Sequence, residues 1–133
     1  MTHNEISQII IDTSIQIHRR RGPGLLESVY AIILAYELRK KGLHVEREVP
    51  IPVKWDNIEM EVGFRADLIV EGLVLVELKS VEAISKVFKK VVLTYIRLAD
   101  KKLGLILNFG EELLKDGISR IVNGLSEEPP ALP

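Results

Sequence analysis

The segment Leu73-Val74-Leu75-Val76-Glu77-Leu78-Lys79 constrains the fold of this chain more than any other. It is β-branched and apolar on both faces, so it reads as a strand that is central in its sheet. Its two charges, Glu77 and Lys79, are two apart and share one face. Charges on a strand that otherwise reads as buried are expensive unless paired or metal-bound. A second carboxylate, Asp67, sits in the preceding apolar run Arg65-Ala66-Asp67-Leu68-Ile69-Val70. Two carboxylates with a neighbouring lysine are what metal-assisted hydrolysis of a phosphodiester requires.

Whether these groups meet depends on a hairpin. Ile58 to Val70 alternates apolar residues with Glu59, Glu61, Gly63, Arg65 and Asp67, and Glu71-Gly72 turns the chain. This alternation puts Asp67 on the face opposite Phe64 and Leu68. A two-residue turn would set Asp67 opposite Val76 and point Glu77 away from it. A loop with an odd residue count pairs Val70 with Val74 and sets Asp67 opposite Glu77. Gly72 suits the left-handed position of a three-residue loop, which predicts the second register.

Around this hairpin the chain reads α-α-β-β-β-α-β-α. Thr2-His3-Asn4-Glu5 matches a capping box and opens a helix that Gly22-Pro23-Gly24 ends near Arg21. Leu26, Val29, Tyr30, Ile33, Leu34 and Leu38 form the apolar stripe of a second helix, closed after Lys41 by Gly42. Val45 to Trp55 alternates as a strand before a turn at Asp56-Asn57. Ile84, Val87, Phe88, Val91, Val92, Tyr95 and Leu98 line one face of a third helix. Leu103 to Phe109 reads as a buried fourth strand, parallel to the third if the crossover is right-handed. A last helix is expected from about Glu111 to Asn123. One domain over 1–124 and a flexible Pro-rich tail over 125–133 follow.

The net charge is −1, which gives no global attraction to nucleic acid. Arg19-Arg20-Arg21, Arg39-Lys40-Lys41, Lys86 with Lys89-Lys90, and Lys101-Lys102 are local clusters, each readable as a solvated helix end or face. The chain has no cysteine, which excludes disulfides and thiolate metal sites and is compatible with a cytoplasmic location. No signal peptide is visible, and no apolar run is long enough to span a bilayer.

Gly24-Leu25-Leu26-Glu27-Ser28-Val29-Tyr30 reads G-x-x-E-x-x-Y. Ile17-His18 and Gly22-Pro23 precede it; Arg65-Ala66-Asp67, Val76-Glu77-Leu78-Lys79, Leu103-Gly104-Leu105-Ile106-Leu107-Asn108-Phe109 and Leu114-Lys115-Asp116-Gly117-Ile118 follow. In this order, from about Ile9 to Gly124, they resemble the GxxExxY family of the PD-(D/E)xK nuclease superfamily. The resemblance implies an α/β, restriction-endonuclease-like fold with a mixed four-stranded sheet flanked by helices. It also implies a nuclease that hydrolyses nucleic acid, DNA in the first place, with Mg²⁺ or Mn²⁺. Asp67, Glu77 and the Leu78 carbonyl would hold the ion, Glu27 would add a ligand or hold its water, and Lys79 would orient water and offset charge on phosphate. Arg65, Lys86, Lys89 and Lys90 are candidate nucleic-acid contacts, and Tyr30, Tyr95 and His18 candidate supports of the site. A homodimer is a further expectation, since one site cuts one strand.

The chain departs from the family on the third helix, where Phe88 and Val91 stand in the place of a His and a Gln. Neither can donate to a phosphate. The alternative reading is therefore a weakened or inactive nuclease-fold module that binds nucleic acid or protein. Each site residue also has a plainer explanation. Asp67, Glu77 and Lys79 could form a structural ion cluster, Glu27 favours the first turn of a helix, and Arg65 could pair with Asp67. Tyr30, Tyr95 and His18 could serve packing alone.

Overall fold

A computed structural model describes residues 1–126 of the chain. Two helices come first, α1 (His3–Arg21) and α2 (Glu27–Lys40). They are followed by β1 (Val45–Trp55), β2 (Ile58–Val70), β3 (Val74–Lys79), α3 (Lys86–Leu98), β4 (Leu103–Asn108), a turn of 3-10 helix at Leu114–Gly117, and β5 (Ile118–Val122). The five strands form one sheet in the order β1-β2-β3-β4-β5. β3 is the middle strand, antiparallel to β2 and parallel to β4. Residues of α1 and α2, among them Ile6, Ile10, Leu34 and Leu38, pack with Val74, Val76 and Leu78 of β3. Val92 and Ile96 of α3 pack with Leu75 and Ile106 in a separate cluster. The expectation that β3 is central is met for this reason: its alternate residues feed two different cores.

The hairpin register is the predicted one. Val70 pairs with Val74, Ile69 with Leu75 and Leu68 with Val76, across the three-residue loop 71–73. Gly72 has φ +65°, the left-handed value such a loop needs, and Glu71 joins it at +54°. The capping box is formed too, with Thr2 Oγ1 accepting from the Glu5 N–H at 3.1 Å and Glu5 Oε1 from the Thr2 N–H at 3.2 Å.

Three details correct the sequence reading. The sheet has five strands rather than four, and the helix expected from Glu111 to Asn123 is a 3-10 turn followed by β5. Ile118, Ile121 and Val122 are β-branched and favour a strand, and β5 pairs antiparallel with β4, whose residues are all buried. Without β5, that apolar strand would be a bare edge. Gly117 belongs to the turn because a Cβ there would stand 2.6 Å from the Asn108 carbonyl oxygen. Second, strict alternation fails at Asp67. Leu68 and Val70 pack toward α1 and α2, whereas Phe64 and Ala66 pack in the α3 cluster with Ile69. β2 thus changes face between Ala66 and Leu68, and across from it β1 carries Glu48 at φ +52°. Third, Leu26, Val29 and Val87 are exposed rather than part of their helices' buried stripes. The expected tail lies outside the described residues from 127 onward.

Candidate active site

Asp67 and Glu77 meet on the α3 face of the sheet. Continuing the β2–β3 register sets them across from one another, and their side chains are hydrogen-bonded. Asp67 Oδ2 also accepts the Leu78 N–H at 2.8 Å. The carboxylate thereby takes the place of a β2 carbonyl at the point where regular pairing with β3 stops. Glu77 is 6% exposed. Burial pushes its carboxyl up to about 9, and the hydrogen bond and the charge of Asp67 add to the shift. At neutral pH Glu77 therefore carries a proton, held against Asp67.

Lys79 lies on the same face, two residues on, without an ion pair to either carboxylate. Its ammonium instead sits over the Phe88 ring, 4.4 Å from the centroid. The cation–π contact holds the ammonium against the ring rather than against the carboxylates. Tyr95 completes this wall. Its ring stacks on Phe64 at 3.9 Å and 7°, and burial, then Glu77 and Asp67, push its hydroxyl above the ordinary tyrosine range. Tyr95 therefore faces both carboxylates.

The other expected residues lie around this centre. Glu27 opens α2 and lines an open cavity of about 590 Å³ with Gly24, Leu25, Leu26, Ser28 and Ser80. It does not join Asp67 and Glu77: among the described residues no three His, Cys, Asp or Glu groups are placed to hold one ion. It is nevertheless coupled to the site through the backbone, because Ser80 Oγ, next to Lys79, donates to the Leu25 carbonyl at 3.1 Å. Tyr30 fixes the same loop from below. Its hydroxyl donates to the Gly22 carbonyl at 2.5 Å and accepts the Leu25 N–H at 3.2 Å, while its ring stacks on Phe109 at 4.3 Å. Tyr30→Phe is expected to cost about 1 kcal/mol in urea unfolding and to loosen residues 22–26 in hydrogen exchange. His18 Nε2 hydrogen-bonds the Glu111 carbonyl at 2.9 Å and ties α1 to the loop after β4, away from the carboxylates.

Arg65 is exposed and forms no ion pair with Asp67. The change of face at Asp67 separates the two, so the expected pairing is not made. Lys86, Lys89 and Lys90 are exposed on the first turns of α3, the helix that carries Phe88. Leu78 is buried, with its N–H committed to Asp67.

Two supports escaped the sequence reading, Ser80 and Asn108. Asn108 is fully buried at the end of β4. Its Oδ1 accepts the Val81 and Gly110 N–H groups, both at 3.0 Å, and its Nδ2 donates to the Val81 carbonyl at 2.9 Å. This clamp extends β3 past Lys79. Gly110 is needed for it, since a Cβ there would lie 2.2 Å from the Val81 carbonyl oxygen. The signal was an amide ending an apolar strand, because buried amides are kept for their hydrogen bonds. Asn108→Ala is expected to destabilise the fold by about 1–3 kcal/mol in urea titration.

Among the described residues no helix is long and apolar enough to cross a membrane. No match is found among curated proteins or among solved structures. A family model, that of the PD-(D/E)XK nuclease superfamily, aligns with residues 4–121. The aligned span runs from α1 into β5 and contains the paired carboxylates and the lysine two residues on. With nearly the whole fold and its charged centre inside that match, the chain belongs to the PD-(D/E)XK nuclease superfamily.

Proposed function

We propose that this protein is a divalent-metal-dependent nuclease of the GxxExxY kind that hydrolyses phosphodiester bonds of DNA, with Asp67, Glu77 and Lys79 as its reactive groups. The observation that carries the reading is the pair itself. The buried Glu77 carboxyl lies across the hairpin from that of Asp67, among the described residues no lysine or arginine is ion-paired with either, and Lys79 stands on the same face. Hard oxygen donors of this kind suit Mg²⁺ or Mn²⁺. Asp67 and Glu77 would hold the ion, with the Leu78 carbonyl as a further donor. When bound, the ion would polarise the phosphodiester and lower the pKa of a water nucleophile.

The chain's own residues do the rest. On binding an ion Glu77 would release its proton to solvent, and the pair would become a dianionic seat. The buried walls keep water away from Glu77, which strengthens every charge interaction there. Lys79 turns from Phe88 to a non-bridging phosphate oxygen and offsets the charge that grows as the bond breaks. Lys86, Lys89 and Lys90 neutralise flanking phosphates. Glu27, which lines its own cavity with Ser80, would act on substrate or solvent there rather than as part of the pair.

Two observations favour the second reading, an inactive binding module. Lys79 is engaged by Phe88, and among the described residues no third acidic group joins the pair. A panel of single strands, flaps, forks and junctions, incubated with Mn²⁺, Mg²⁺ or EDTA, separates the two. Cleavage in either metal and none in EDTA supports the nuclease. Binding without cleavage of any substrate supports the module.

A further inference from the structure

Beside Lys79 lies a cavity of about 260 Å³, lined by Lys79, Val81, Ala83, Ile84, Ser85 and Phe88. Apart from Lys79 and Ser85 its walls are apolar. Phe88 is half-buried, and no other aromatic ring stacks on it among the described residues. The group over its face is the Lys79 ammonium. Along the segment that forms the recess basic residues outnumber acidic ones: between Lys79 and Leu98 the one carboxylate is Glu82, against Lys86, Lys89, Lys90 and Arg97. The Ser85 hydroxyl is occupied as the cap of α3, accepting the Phe88 N–H at 3.1 Å.

An aromatic face in a mostly apolar recess, with the Lys79 ammonium in its lining and further lysines exposed on the same helix, matches the chemistry of an unpaired nucleotide. Bases stack on such faces with little regard to sequence, while the backbone follows the cations. We propose that Phe88 is a stacking platform for one unpaired base next to the scissile phosphate, which makes single strands or frayed ends the preferred substrate. A base inside a continuous duplex cannot enter the recess without being unstacked. Lys79 couples the two events. Once its ammonium turns to the phosphate, the ring face it covered is open to the base. Phe88 is then a specificity residue. This inference rests on the nucleic-acid reading above and narrows its substrate.

The test is binding in EDTA, where no cleavage can interfere. Fluorescence anisotropy would compare a labelled DNA single strand, an RNA strand of the same sequence, the duplex, and an abasic strand of the same charge. The wild-type protein should bind the base-bearing strands about tenfold more tightly than the abasic strand and the duplex. Phe88→Leu, which keeps the apolar volume, should erase that preference, and Phe88→Trp should keep it. The DNA and RNA arms show which sugar the recess accepts. Equal binding of base-bearing and abasic strands, a duplex preference, or an unchanged preference in Phe88→Leu overturns the proposal and leaves the nuclease reading standing. Absence of binding to every strand also overturns the proposal, and cleavage of the same strands in Mn²⁺ then decides whether the nuclease reading stands.

Discussion

Asp67→Ala is expected to reduce metal-dependent cleavage at least about a hundredfold and to destabilise the fold by about 1–3 kcal/mol. The two effects come from the two ends of one carboxylate. Removing it takes away one of the two donors proposed for the ion. It also strands the Leu78 N–H, which Asp67 Oδ2 satisfies at 2.8 Å within a buried strand, and an orphaned buried donor costs more than the bond it made was worth. Asp67→Asn separates the effects. Its amide oxygen can still accept from Leu78, so stability should recover most of the loss, while the missing charge keeps cleavage low. Initial rates and urea midpoints for both variants read this out. Cleavage in Asp67→Asn equal to that of the wild type would show that the charge of Asp67 is not used.

The second large effect is on stability against pH in the absence of metal. Glu77 releases its proton near pH 4.5 in the unfolded chain and near 9 in the folded protein. Between these values the folded state binds more protons, so stability falls as pH rises. The contribution is complete below about 4.5 and lost once pH passes about 9, at a slope of at most about 1.4 kcal/mol per pH unit. Melting curves in EDTA between pH 5 and 9 should therefore shift downward by several degrees as pH increases, and Glu77→Gln should flatten the trend. Saturating Mn²⁺ should oppose the loss, because an ion bound as proposed would take over the work of the proton. A wild-type melting temperature that holds steady across this range would show that Glu77 is not a buried acid.

How much of this was legible in the sequence differs from residue to residue. The meeting of Asp67 and Glu77 was legible, because side chains on a strand alternate and Gly72 allows only certain loops. The centrality of β3 was legible for the same kind of reason, two apolar faces that both need cover. The change of face at Asp67 was not, since it accompanies a left-handed backbone at Glu48, a residue type that gives no local sign of it. The fifth strand was hidden because Leu113, Leu114 and Ile118 also fit a helical spacing. Pairing with the buried edge of β4 decided the matter, and that is a tertiary effect. Phe88 looked like a loss when judged only by what it cannot donate. The structure gives it a partner, Lys79, and a cavity to floor. Glu27 was placed in the right neighbourhood by its motif, yet its helix starts one wall away from the acidic pair.

The measurement that bears most directly on the central claim is a crystal of the wild-type protein soaked in Mn²⁺ at neutral pH, with anomalous scattering recorded. The account predicts a peak shared by the carboxylates of Asp67 and Glu77, with their mutual hydrogen bond gone. Full occupancy of Mn²⁺ elsewhere, with Glu77 still bonded to Asp67, would contradict it and leave the pair as a structural element of the sheet.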